Sequence, residues 1–126
     1  MSNPTVFDPA THTIGLSRDL VASKIPARPD PPVPVDGVTI GVATMTENSP
    51  HGGEIHLDGD EILYLIYGRA RVVFLDDPVE DIEMRPGDGL VVPKAIWHRV
   101  DILEPCKIVY VTPGPNNDFR PVAAGI

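Results

Sequence analysis

Glu54-Ile-His-Leu-Asp-Gly-Asp-Glu-Ile-Leu-Tyr-Leu-Ile-Tyr-Gly68 is the stretch on which the reading of this chain turns. It sets Glu54, His56 and Glu61 around a tight Asp58-Gly59 turn, then runs into apolar residues that stop at Gly68. Side chains two apart in an extended chain share a face, so Glu54 and His56 point one way and Ile55 the other. The turn sends the chain back, and Glu61 approaches the same point from the next strand. Residues 62–67 are too short a run for a typical helix and rich in β formers, which predicts a strand buried on both faces. Glu61, Leu63, Leu65 and Tyr67 share one face of it, and Ile62, Tyr64 and Ile66 the other.

Outward from that stretch the same pattern recurs. Residues 38–44 are β-branched and read as a strand, and 47–53 as a loop leading into Glu54. Gly68 breaks the apolar run and 70–75 begins a second strand, predicting a hairpin between the two. Residues 79–84 alternate apolar with charged, and 90–92, 98–102 and 107–111 complete a series of short strands separated by turns at 76–78 and 86–89. Fifteen prolines and eleven glycines leave long helices almost nowhere to form. The fold class is all-β, a sandwich or barrel. Residues 1–24 suit a helical turn or a short edge strand equally well, and the proline-rich 25–34 reads as an extended connector or edge segment.

At 126 residues the chain is one domain. Eighteen acidic residues against ten Lys plus Arg give a net charge of -8, which disfavours nucleic acid and anionic membrane surfaces as partners. No stretch reads as a signal peptide or a membrane span, and a single cysteine, Cys106, fits a reducing compartment, so the expected setting is cytoplasmic.

One imidazole and two carboxylates make a hard-to-borderline nitrogen and oxygen site, and a second imidazole from His98 would complete four metal ligands. The alternative is a metal-free pair in which His56 is satisfied by Glu61, with His98 packed near the mouth of the barrel. His12, between two threonines, reads as solvated, and Asp58, Gly59 and Asp60 as a plain turn.

Two motifs in this chain resemble those of the cupins, small β-barrels of the jelly-roll class. The first family motif, His-x-His, three or four residues, Glu, six residues, Gly, falls on Glu54, His56, Glu61 and Gly68. The second, built of Gly, Pro, Gly, His and Asn, falls on Gly87, Pro93, Ala95, His98 and Ile102. Glu54 stands where the family has its first metal histidine, Ala95 replaces a turn glycine, Ile102 replaces the terminal asparagine, and Asn48 sits where an extended first motif has glycine. The resemblance implies a barrel over 38–111, preceded by an extended arm and proline-rich connector over 1–37. It is followed by a tail over 112–126 that packs on the barrel or on a partner. It implies a metal set of Glu54, His56, Glu61 and His98, with His51 a rival for the place of Glu54 if Gly52 and Gly53 form a bulge.

Such a set suits Fe, Mn, Zn or Ni as divalent ions. Tyr64, Tyr67, Trp97 and Met45 are candidate wall residues, and Arg69, Arg71, Lys94 and Arg99 candidate anion anchors. Two functions of different class follow from the resemblance. One is a metal-dependent enzyme of dioxygenase, isomerase, lyase or decarboxylase type, acting on a small oxygen-rich molecule. The other is a ligand-binding or sensing cupin without turnover, metal-free or not. Family habit further implies a homodimer.

Overall fold

The computed structural model describes residues 3–28 and 32–122. Among the described residues there are nine strands and no helix: β1 His12–Ser17, β2 Ala22–Pro26, β3 Gly37–Met45, β4 His51–His56, β5 Glu61–Phe74, β6 Ile82–Met84, β7 Gly89–Val92, β8 His98–Gly114 and β9 Asn117–Pro121. All pairings are antiparallel. They form one continuous sheet that folds over into two layers, because β5 and β8 are long enough to run through both. The first half of β5 and the last of β8 pair with β7 and β3, and β1 and β2 extend that layer. The second half of β5 and the first of β8 pair with β6 and β4, and β9 closes the far edge. The all-β, barrel-like architecture expected from the turn spacing is the one observed.

The hairpin expected at Gly68 does not form. Residues 61–74 are one strand paired along its length with β8, and the register shifts between Leu65 and Ala70. Gly68 does not end the strand; it kinks it. Its φ of 85° is one that side chains rarely adopt, and an added Cβ there would lie against the Pro105 carbonyl. The kink changes the parity of the strand: Leu63 and Leu65 point inward before it, Ala70, Val72 and Phe74 after it. Two further expectations fall with this. Tyr67 does not share the inner face with Glu61 but is 46% exposed, and the strand is not buried on both faces, since Tyr64 and Ile66 are 50% and 51% exposed.

Other boundaries differ for reasons of pairing. Residues 98–102 and 107–111 join as β8, because β3 and β5 supply partners across the intervening Pro105. Of 47–53, the last part is strand: β4 starts at His51 because β9 offers it a ladder. Only Ile82–Met84 of 79–84 is strand. The ambiguous N-terminal segment holds a strand, β1, but an inner one paired with β3 on one side and β2 on the other; the edge strand is β2, which runs into the proline-rich connector and whose Pro26 lies at the strand end where a missing donor costs least. Residues 29–31 and the end of the C-terminal tail lie outside the described residues. Leu63, Leu65, Ala70, Val72, Phe74, Met84, Val92, Cys106 and Ile108 form the buried core between the layers. Among the described residues no helix is long and apolar enough to cross a membrane.

Candidate metal centre

Three structural devices bring the ligand candidates together. Glu54 and His98 are direct cross-strand partners on β4 and β8, so their side chains leave the same face side by side. His56 is two residues beyond Glu54 and shares that face. Glu61 opens β5 on the other layer, after the 57–60 loop. That loop is tied by Asp58, which accepts from the Asn116 backbone and side-chain amides, and by Asp60, which accepts from the Lys94 amide. Both aspartates therefore fasten backbone, as a turn reading requires, and neither belongs to the cluster.

The four side chains offer ligand atoms that all lie within 4.8 Å of one another. His98 Nε2 is 3.1 Å from Glu61 Oε1 and 3.4 Å from Glu54 Oε1. His56 Nε2 is 3.2 Å from Glu61 Oε2 and 3.6 Å from Glu54 Oε1, close enough for charge attraction, yet it is buried with no aligned hydrogen-bond partner. Both rings have their other nitrogen engaged: His98 Nδ1 donates to the Ile96 carbonyl at 3.0 Å and His56 Nδ1 to Asn117 Oδ1 at 2.9 Å. Outer partners of this kind fix ring orientation and tautomer and leave Nε2 facing inward. Thr112 Oγ1 donates to Glu61 Oε2 at 2.6 Å, holding the carboxylate from behind. Two imidazole nitrogens and two carboxylates converging in a buried space are arranged so that they can hold a metal ion, and the unpartnered His56 Nε2 is the atom such an ion would satisfy.

Charge explains why the cluster is tolerated without one. Burial pushes the Glu54 and Glu61 carboxyls up, but the close charges of His56 and His98, with the His98–Glu61 hydrogen bond, outweigh it and hold both below the usual carboxylate range. Burial pushes both rings down, and the two carboxylates reverse it, raising His56 to about 10 and His98 to about 9. At neutral pH the metal-free cluster is thus two imidazolium and two carboxylate groups.

His51 reaches the cluster only through Glu54, its Nε2 4.0 Å from Glu54 Oε2. The register of β4 does shift between His51 and Gly53, as a bulge would, but the ring packs 5.2 Å from Phe119 and does not displace Glu54. His12 hydrogen-bonds to Thr11 at the surface. Two departures from the family pattern meet each other: the Ile102 amide donates to Asn48 Oδ1 at 2.6 Å. Ala95 has φ 60°, the left-handed conformation that the family's glycine would take without strain.

A cavity of about 340 Å3 opens above Glu54, His56 and Glu61 between the layers. Of the expected wall residues only Met45 lines it. Tyr64 and Tyr67 face outward, and Trp97 stacks under Arg120, whose guanidinium is 4.3 Å from the ring centre. None of the expected anchors reaches the cavity: Arg69 pairs with Glu83 and Glu104, Arg99 with Asp101, Lys94 is exposed, and the parity change at Gly68 turns Arg71 outward. Residues that sequence reasoning missed take these places, among them Arg28, Tyr110, Thr112 and Asn117. The last two lie in a segment that looked irregular because of its prolines, and no local signal marks them.

A two-layered β-barrel with imidazoles and carboxylates converging at its interior is the architecture of a metal-competent cupin. The chain belongs to that superfamily: the family model described as "Cupin domain" (Cupin_2) matches residues 42–112. Solved structures agree on the fold. A cupin-2 domain protein from Shewanella frigidimarina is 22% identical, with a TM-score of 0.51 over 65% of this chain and 76% of that one. A cupin superfamily protein from Desulfitobacterium hafniense is 23% identical, with a TM-score of 0.53 over 66% of this chain and 72% of that one. Oxalate decarboxylase from Bacillus subtilis is 19% identical, with a TM-score of 0.54 over 66% of this chain but only 23% of the enzyme. No curated protein matches the sequence.

Proposed function

We propose that Glu54, His56, Glu61 and His98 hold a divalent metal ion and that the cavity above it receives a small oxygen-rich organic molecule. The observation that carries this reading is the buried, unpartnered His56 Nε2, which faces two carboxylates and a second Nε2. A divalent ion supplies Lewis acidity, polarising an oxygen of the bound molecule. The protein's own groups do the rest. Thr112 and Asn117 fix Glu61 and His56, the apolar wall of Met45, Leu63 and Ile108 limits water, and Tyr110 presents a hydroxyl whose proton burial retains to high pH. Fe, Mn, Zn and Ni all suit this donor set.

Elemental analysis of protein purified without chelator tests the reading. Near-stoichiometric divalent metal is expected, lost on dialysis of a His56→Ala variant. Retention of metal by that variant, or refusal of every divalent ion by folded wild-type protein, refutes it. A metal-free binding function is the second reading, favoured by the charge balance of the empty cluster.

The proposal includes a homodimer built on the outer face of the β7–β5–β8–β3–β1 layer. Val91, Ile62, Val111, Ile40 and Ile14 form one apolar row across five paired strands, with Tyr64, Val109 and Val42 in the next. On a chain of net charge -8 these two uncharged rows are where a second copy approaches without repulsion. Sedimentation at micromolar concentration should give a dimer that Tyr64→Glu dissociates, and a wild-type monomer would remove the claim.

A further inference from the structure

Arg28 lies two residues beyond β2 and lines the cavity whose wall also includes Glu54, His56 and Glu61. Among the described residues it is the only lysine or arginine that lines the cavity. Arg18, Arg69, Arg99 and Arg120 are each engaged by a carboxylate, whereas Arg28 has no ion-pair partner among the described residues. Its backbone is left-handed, φ 51°, a conformation that non-glycine residues rarely adopt. Tyr110, whose hydroxyl lies on the cavity wall, feels Arg28 as its foremost neighbouring charge, with Glu61 and Glu54 acting in the opposite sense. Arg28, Tyr110, Glu54 and Glu61 thus line one and the same cavity.

The charge count of that space is informative. Two carboxylates and a divalent ion cancel, ligating imidazoles are neutral, and Arg28 leaves one positive charge over. A ligand that balances it is a monoanion. A guanidinium fork matches a carboxylate in two parallel hydrogen bonds. A phosphate dianion would leave a second negative charge above two glutamates. Resting on the metal reading above, we infer that Arg28 is the anion-recognising residue of the cavity. Its ligand is a small monocarboxylate whose far end offers uncharged oxygens to the ion.

A matched pair of probes tests this: 5,6-dihydroxyhexanoate, with a neutral vicinal diol for the ion and a distant carboxylate, and its uncharged amide. Each is titrated calorimetrically into metal-loaded and metal-free full-length protein, wild type, Arg28→Gln and Arg28→Lys. Because Arg28 is exposed to solvent at the mouth, the loaded wild type should prefer acid to amide by about five- to tenfold. Arg28→Gln should abolish the preference while leaving amide affinity unchanged, and Arg28→Lys should keep part of it. Equal affinity for the two probes, a preference that survives Arg28→Gln, or no binding at all overturns the proposal. Failure of the metal reading has a different signature: an acid preference that depends on Arg28 but is the same with and without metal.

Discussion

Adding a divalent ion to the cluster at neutral pH should expel two protons. In the metal-free protein His98 and His56 hold their protons up to about 9 and about 10, because each Nε2 lies between Glu54 and Glu61. A metal can take an imidazole only through that same nitrogen, since both Nδ1 atoms are committed elsewhere. The carboxylates are ionised in both states and release nothing. Below pH 9 the apparent affinity should therefore rise about 100-fold per pH unit, equivalent to ~2.7 kcal/mol per unit. Between pH 6 and 8 this amounts to roughly four orders of magnitude. Calorimetric titration of Mn2+ in buffers of different ionisation enthalpy counts the protons directly, and chelator competition across pH gives the slope. Release of fewer than one proton at pH 7 would refute the reasoning, because it would mean that the carboxylates do not charge the rings in the folded protein.

The same charges set the stability of the metal-free form. The histidine contribution is full below about 6.5 and is lost as pH rises through 9 and 10, and the glutamate contribution is present above about 4.5 and lost as pH falls. Thermal melts of chelator-treated protein should thus fall from pH 6.5 to 9, whereas a rise over that window would contradict the assignment. Asn117→Ala leaves His56 Nδ1 without its acceptor and should weaken metal binding about ten- to hundredfold with the fold intact by circular dichroism; unchanged affinity would make Asn117 a bystander. Ala95→Gly relieves the left-handed φ and should raise stability by about 0.5 kcal/mol, strain relief of ~1 kcal/mol being partly offset by unfolded-chain entropy. Gly68→Ala should cost about 3 kcal/mol or more in a urea melt, since it adds both φ strain and a clash with Pro105.

The fold and the cluster were largely legible because they rest on local rules. Period two places Glu54 and His56 together, and the Asp58-Gly59 turn returns Glu61 to them. What was not legible depends on pairing partners remote in sequence. Whether Gly68 ends a strand or kinks one is decided by β8, which continues past it, and only the kink determines that Arg71 and Tyr67 face solvent. Asn117 belongs to the site because β9 pairs with β4 in a register that sets it beside His56. Arg28 reaches the cavity because β2 pairs with β1 at the edge of the first layer. No periodicity in a proline-rich segment announces either.

Glu61 stands on one layer, while Glu54, His56 and His98 stand on the other. An ion held by all four is therefore a rivet through the sandwich, and the spacing of its donors measures how far the layers stand apart. Anything that wedges the layers open, whether heat, a core substitution or an oversized guest in the cavity, loosens the rivet before it touches a ligand. Occupancy then becomes a gauge of interlayer breathing, and amide exchange should slow in both layers together when the ion goes in.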